Sequence, residues 1–127
     1  MADVVLDSSA ILADVHGEAG AEETRAAIAG ACISAVNYAE VITKLIELGA
    51  SATEAKFTAE TLAYKVVEVD QARAASAGMM HERTRRTGVS LGDRFCLALG
   101  EELRLPVLTA DRRWKDLGLD VEIRLIR

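Results

Sequence analysis

The sequence has few of the residues on which several common kinds of site depend. Its two cysteines, Cys32 and Cys96, form neither a disulfide framework nor a zinc pattern, and both lie in apolar stretches typical of buried thiols. Its two histidines, His16 and His81, have no Cys or His at ligand spacing and no Gly-x-Ser-x-Gly elbow to pair with. No Gly-x-Gly-x-x-Gly follows the first apolar run. These absences argue against zinc proteins, triad hydrolases and dinucleotide-binding proteins.

Proline, aromatic residues and positive charge are also scarce. One proline and 4% aromatics among 127 residues indicate a helix-rich core of Ala, Val, Leu and Ile in one domain, residues 1–127. The net charge of −5 argues against a protein held to nucleic acid by overall positive charge. It does not exclude a nuclease, because a bound metal ion makes an acidic site locally less negative. We see no signal peptide or membrane span, and expect a cytoplasmic protein.

Short apolar runs alternate with longer amphipathic segments. The short runs predict strands near Val4–Leu6, Ala31–Ile33, Val66–Val69, Val107–Leu108 and Val121–Ile126. The longer segments predict helices near Ser9–Asp14, Ala19–Ala29, Ala35–Leu48, Thr53–Tyr64, Ala72–Arg86 and Leu91–Leu103. Alternating strands and helices favour an α/β domain with a mainly parallel sheet of about five strands between helical layers.

Four acidic residues stand where the chain should leave a strand or start a helix. Asp7 ends the first apolar run and Asp111 follows the fourth, whereas Glu40 and Asp93 lie in helices that begin near Ala35 and Leu91. Because the carboxyl ends of parallel strands meet at one edge of a sheet, we expect these four side chains to lie close together. Four clustered carboxylates suit a hard divalent cation.

Each acid also has a purely structural explanation. Asp7 could cap the helix that follows it, Asp93 could complete a capping box with Ser90, Asp111 could be a turn residue and Glu40 could face solvent. Together, however, like charges within a few ångströms repel one another unless a cation binds between them. Oxygen-only ligands select magnesium, manganese or calcium over zinc.

Four segments occur in a characteristic order and span nearly the whole chain. They are Val4–Ala10, Ile33–Val41, Leu91–Ala98 and Val107–Trp114, and each contains one of the four acids. This ordered set resembles the PIN-domain family and is most similar to its VapC toxin branch.

The resemblance implies a three-layer α/β/α, Rossmann-like PIN fold and a Mg²⁺-dependent endoribonuclease, with Mn²⁺ able to substitute. In such an enzyme a metal-activated water hydrolyses RNA phosphodiesters. The implied catalytic and metal-binding residues are Asp7, Glu40, Asp93 and Asp111, and the implied supporting residues are Ser8, Asn37 and Thr109. The fourth acidic position varies more in the family, so Asp116 could replace or assist Asp111.

The resemblance also implies partners. A VapC-type toxin belongs to a type II toxin–antitoxin system, in which a small cognate antitoxin blocks the site, and such toxins commonly form homodimers. Two alternatives stay open: a housekeeping PIN nuclease in RNA processing, and a non-catalytic PIN module that binds RNA or protein. Near the fourth acid, Arg112, Arg113 and Lys115 could contact RNA phosphates or only improve solubility, and Trp114 could stack on a base or fill the core.

Overall fold

Five parallel strands form the centre of the molecule in the computed structural model, which describes residues 1–127. The strands are β1 (Val4–Leu6), β2 (Ala31–Ser34), β3 (Lys65–Val67), β4 (Val107–Thr109) and β5 (Ile123–Leu125). Their order across the sheet is β3-β2-β1-β4-β5, and every neighbouring pair is parallel. The prediction of a parallel sheet with five strands is therefore confirmed.

Seven α-helices and two 3-10 segments connect the strands. The helices are α1 (Ser8–His16), α2 (Ala21–Ala27), α3 (Ala35–Glu47), α4 (Ala52–Thr61), α5 (Gln71–Met79), α6 (His81–Thr84) and α7 (Leu91–Leu103). The 3-10 segments cover Ile28–Gly30 and Arg112–Asp116. None of the helices is long and apolar enough to span a bilayer.

Alternation along β1 shows how the three layers form. Val4 and Leu6 pack with residues of α1, α3 and α4 on one face of the sheet, whereas Val5 packs with residues of α5 and α7 on the other. All three side chains are buried, as expected for a parallel strand covered by helices on both faces. The molecule is thus a three-layer α/β/α domain.

The sheet reverses its direction of growth beside β1. From β1 the chain adds β2 and β3 on one side, and then returns to add β4 and β5 on the other. In open α/β sheets, ligands bind outside the carboxyl ends of the strands at such a switch point. Asp7 directly follows β1, and Thr109 is the last residue of β4.

The helix predicted over 72–86 is instead two helices. Met80, between α5 and α6, keeps helical angles (φ −60°, ψ −20°), and its carbonyl accepts hydrogen bonds from both Arg83 and Thr84. The Thr84 hydroxyl also donates to this carbonyl, at 3.0 Å. A carbonyl shared in this way tightens the turn, and the regular helical pattern ends there.

Candidate active site

Asp7 occupies the position before α1 that a helix-capping residue would hold, but its side chain makes no capping hydrogen bond. The carboxylate is 4% exposed. Its Oδ2 accepts hydrogen bonds from the hydroxyls of Ser9, at 2.5 Å, and Thr109, at 2.8 Å. No group of the chain donates to Oδ1. Asp7 is therefore held by one oxygen, which leaves the other available for a ligand.

The same two hydroxyls tie the end of β4 to Asp7. Ser9 Oγ accepts a hydrogen bond from the backbone N–H of Ala110, and Thr109 Oγ1 accepts one from that of Asp111, both at 3.0 Å. Each hydroxyl thus donates to Asp7 and accepts from the chain after β4. The position of the carboxylate is set by contacts about a hundred residues apart in sequence.

The environment of Asp7 disfavours its charge. The pKa of this carboxyl is raised from 3.8 to about 6, chiefly because burial disfavours the charged form. The hydrogen bonds from Ser9 and Thr109 oppose this rise, whereas the negative charges of Asp93 and Glu40 contribute to it. Three of the four predicted acids therefore interact electrostatically, as expected for a site that binds a cation.

Glu40 is fixed by Asn37 and lies against the start of α7. The Asn37 side-chain amide donates to Glu40 Oε1, at 2.7 Å, and to the carbonyl of Gly92, at 2.9 Å. Gly92 also makes room for the acid, because a Cβ there would lie 2.6 Å from Glu40 Cδ. Asn37 is fully buried, and its Oδ1 has no hydrogen-bond partner. At Asn37 and Glu40, therefore, α3 is packed against the start of α7.

Asp93 belongs to a capping box and faces the same site. Ser90 Oγ accepts from the Asp93 backbone N–H, at 3.1 Å, and Asp93 Oδ2 accepts from that of Ser90, at 2.9 Å. The box uses Oδ2 only. The structural explanation for Asp93 is therefore correct, but it leaves one carboxylate oxygen and the charge that acts on Asp7.

Asp111 is the least available of the four acids. Its carboxylate accepts from the Arg113 backbone N–H and from the Arg113 guanidinium. The bond from Arg113 lowers the pKa of Asp111. Asp116 is exposed and makes no hydrogen bond to another site residue.

The supporting residues lie partly where the sequence placed them. Thr109 and Asn37 contact Asp7 and Glu40, respectively. Ser8 makes no hydrogen bond to Asp7 and lines a groove beside Glu40, whereas Ser9, which sequence reasoning missed, bonds Asp7. The only signal in the sequence was that two serines follow Asp7.

The donor set suits a divalent metal ion that retains water. No three Asp, Glu, His or Cys side chains are placed so that all of them could bind one metal ion directly. Magnesium seldom needs one, because one or two carboxylates, several waters and substrate phosphates usually complete its coordination. Asp7 Oδ1, Glu40 and Asp93 provide oxygen donors and a concentrated negative charge, so the residues present fit such an ion.

Comparison with known proteins agrees with this arrangement. The PIN domain model matches residues 4–119. The chain belongs to the PIN domain family. PIN domains are nucleases as a class. None of the curated proteins matches this sequence closely enough to indicate a relative.

Solved structures with the same fold include several toxin–antitoxin complexes. A toxin–antitoxin complex from Klebsiella pneumoniae matches with a TM-score of 0.77 and 15% identity, over 98% of both chains. DNA-bound VapBC from Salmonella typhimurium matches with a TM-score of 0.74 and 18% identity, over 100% of both chains. VapBC-5 from Mycobacterium tuberculosis matches with a TM-score of 0.60 and 21% identity, over 98% of this PIN domain and 99% of that chain. At these identities the likeness establishes the fold.

Proposed function

We propose that this PIN domain is a Mg²⁺- or Mn²⁺-dependent endoribonuclease and the toxin of a type II toxin–antitoxin pair. The observation that carries the proposal is the state of Asp7. A buried carboxylate at a helix start does no capping, is held by a single oxygen and is repelled by two further acids. Such an arrangement destabilises the protein unless a cation binds, which favours a binding role over a structural one.

The residues of the chain have distinct tasks in this proposal. Of Asp7, Glu40 and Asp93, one or two would bind the ion directly and the rest through its waters. Ser9, Thr109 and Asn37 orient two of the three carboxylates. When bound, the ion would activate a water and neutralise charge developing on the phosphate. The buried hydroxyls matter because they fix Asp7 in place before metal or substrate arrives.

The proposed toxin role is supported by the known structures that share this fold. The matching structures include toxins bound to antitoxins. An acidic site of this kind can be blocked by an Arg or Lys of a small antitoxin, which would compete with the metal ion. We also expect a homodimer. Growth arrest on induced expression, relieved by the neighbouring open reading frame, would separate a toxin from a housekeeping nuclease.

The direct test is cleavage of RNA by the purified protein. We expect cleavage of a structured RNA with Mg²⁺ or Mn²⁺, and none after EDTA is added. Restoring the ion in excess should restore cleavage, which controls for damage by the chelator. Full activity in EDTA would overturn the metal mechanism, and absence of cleavage under every metal condition would favour a non-catalytic PIN module.

A further inference from the structure

Both oxygens of the Asp111 carboxylate are occupied by Arg113. Arg113 Nε donates to Oδ1, at 3.0 Å, and Nη2 donates to Oδ2, at 2.7 Å. The Arg113 backbone N–H adds a third bond to Oδ1, at 3.0 Å. This two-pronged geometry is the strong form of an arginine–carboxylate pair. It differs from the state of Asp7, whose Oδ1 accepts no hydrogen bond.

The pair is anchored to the buried part of the site. Thr109 Oγ1 accepts from the Asp111 backbone N–H and donates to Asp7. Trp114, which is 1% exposed, is buried close to Asp111. Its N–H is near enough to lower the pKa of Asp111, but it makes no hydrogen bond of good geometry. Asp111 is thus held by Thr109 through its backbone N–H and by Arg113 through its carboxylate.

Arg113 is an exposed cation at the rim of the acidic site. Its side chain is 67% exposed, compared with 23% for that of Asp111. The hydrogen bond to Asp111 raises the pKa of Arg113, and the charge of Asp93 raises it as well, so the guanidinium lies within electrostatic reach of a second site carboxylate. The neighbouring Arg112 is engaged elsewhere, with Nε donating to the Arg127 carbonyl at 3.2 Å.

We propose that Arg113 binds a phosphate of the RNA substrate, and that Asp111 positions this guanidinium instead of binding the metal ion. The inference rests on the proposed nuclease function. A guanidinium has five N–H donors, and the pair with Asp111 uses two of them, so the others can bind phosphate. An acidic site also needs a cation at its rim, because its own charge repels the RNA backbone.

Four variants test the two halves of this proposal. Asp111→Asn keeps an oxygen that can accept from the Arg113 backbone, but removes the charge that holds the guanidinium. Arg113→Gln removes the cation. Arg124→Gln is the matched control, because Arg124 also pairs with an acid two residues earlier, Glu122. Arg124 lines a groove with Asp3 and Gly30, which precede β1 and β2 at the opposite edge of the sheet. Asp7→Asn serves as the reference for loss of a metal ligand.

The first measurement is Mn²⁺ titration calorimetry on RNA-free protein. We expect Asp111→Asn to bind Mn²⁺ within about twofold of the parent, whereas Asp7→Asn should lose on the order of tenfold or more, as loss of a ligand requires. If Asp111→Asn weakens Mn²⁺ binding as strongly as Asp7→Asn does, Asp111 is a metal ligand and its assigned positioning role is wrong.

The second measurement is the salt dependence of cleavage of a randomised fluorophore–quencher RNA with Mn²⁺. We expect Arg113→Gln to raise KM about tenfold with kcat little changed. The reason is that a phosphate contact stabilises the bound substrate and the transition state equally. For Arg113→Gln, the slope of log(kcat/KM) against log[KCl] should become shallower by about 0.7 to 1. Asp111→Asn should change KM and this slope in the same direction, but by less. Arg124→Gln should match the parent.

Three results would overturn the role of Arg113. An unchanged salt slope would mean that it contacts no phosphate. Faster cleavage or tighter Mn²⁺ binding by Arg113→Gln would instead identify an internal cation that competes with the metal. A parent protein that cleaves nothing would remove the proposed function and the RNA role together, but the Mn²⁺ titration would still decide whether Asp111 is a ligand.

Discussion

Asp7 and Asp70 both stand directly before a helix in extended backbone, α1 and α5 respectively, but they differ in what their carboxylates contact. Asp70 is exposed, and its Oδ1 accepts from the Arg73 backbone N–H at 2.8 Å, as an N-cap should. Asp7 is buried and caps nothing. One residue type at one kind of position thus stabilises a helix at the surface and forms a charged site at the switch point of the sheet.

The cause of the difference is what surrounds each carboxylate. The hydroxyls of Ser9 and Thr109 donate hydrogen bonds to one carboxylate oxygen of Asp7 and hold it away from the backbone N–H groups at the start of α1. Around Asp70, solvent surrounds a carboxylate that is free to turn toward the orphan N–H groups of the helix start. An acid directly before a helix therefore need not cap that helix. The absence of a capping hydrogen bond distinguishes Asp7 from an ordinary N-cap residue such as Asp70.

The largest expected effect is on cleavage. Asp7→Asn should reduce RNA cleavage by orders of magnitude, because a neutral amide replaces a charged ligand in a site built for a cation. Asp70→Asn should leave cleavage close to that of the parent, because Asn caps a helix about as well as Asp. Parallel assays with Mg²⁺ measure both. Equal activity in the two variants would return Asp7 to a structural role.

The second effect is on the stability of the metal-free protein and on its pH dependence. Because folding raises the pKa of Asp7 from 3.8 to about 6, the native state binds the proton more tightly than the unfolded state. The free energy of unfolding should therefore fall as pH rises through this window, by up to about 3 kcal/mol from this group. Asp7→Asn should lack this component and be more stable than the parent at pH 7 by about 1 to 3 kcal/mol.

Chemical denaturation in EDTA at pH 4, 5, 6 and 7 measures this difference, because subtracting the variant from the parent cancels the other titrating groups. Added Mg²⁺ provides the control. Ligand binding stabilises the native state by mass action, so Mg²⁺ should raise the Tm of the parent more than that of Asp7→Asn. A parent–variant difference that stays constant with pH would contradict the raised pKa.

The smallest expected effect is on stability, through the N-cap residue of α5, Asp70. Asp70→Ala should lower the free energy of unfolding by about 1 kcal/mol, through loss of the bond to the Arg73 backbone, with cleavage retained. Asp7→Ala is not a matched comparison, because it also removes the acceptor of the Ser9 and Thr109 hydroxyls. Thermal melts in EDTA therefore compare Asp70→Ala with Asp70→Asn, which keeps a capping oxygen, and equal melting of the two variants would show that the Asp70 side chain does not stabilise α5.

Features encoded within a few residues were predictable from the sequence. The alternation of strands and helices follows from short apolar runs and amphipathic segments, and the five strands appear where those runs lie. The Ser90–Asp93 capping box is also present as its spacing predicts. The acids at strand ends and helix starts, including Asp7, could be found in the same way, since a parallel sheet brings such positions to one edge.

Contacts between distant segments decided the rest. The amphipathic pattern of α3 puts Asn37 on the polar side, yet the packing of α7 buries it completely and uses its amide to hold Glu40. The choice between stacking and core for Trp114 was likewise open in the sequence, and its 1% exposure places it in the core.

By itself, the sequence determined the order of the elements, the family and the positions of the acids, because these depend on periodicity and on residue types along the chain. Only the tertiary structure decided the state of each carboxylate. Whether Asp7 caps or is held, and whether Ser8 or Ser9 holds it, depends on Thr109 arriving from β4, about a hundred residues away. Burial and hydrogen bonding are properties of the three-dimensional surroundings, and they decide which acids can bind a metal ion.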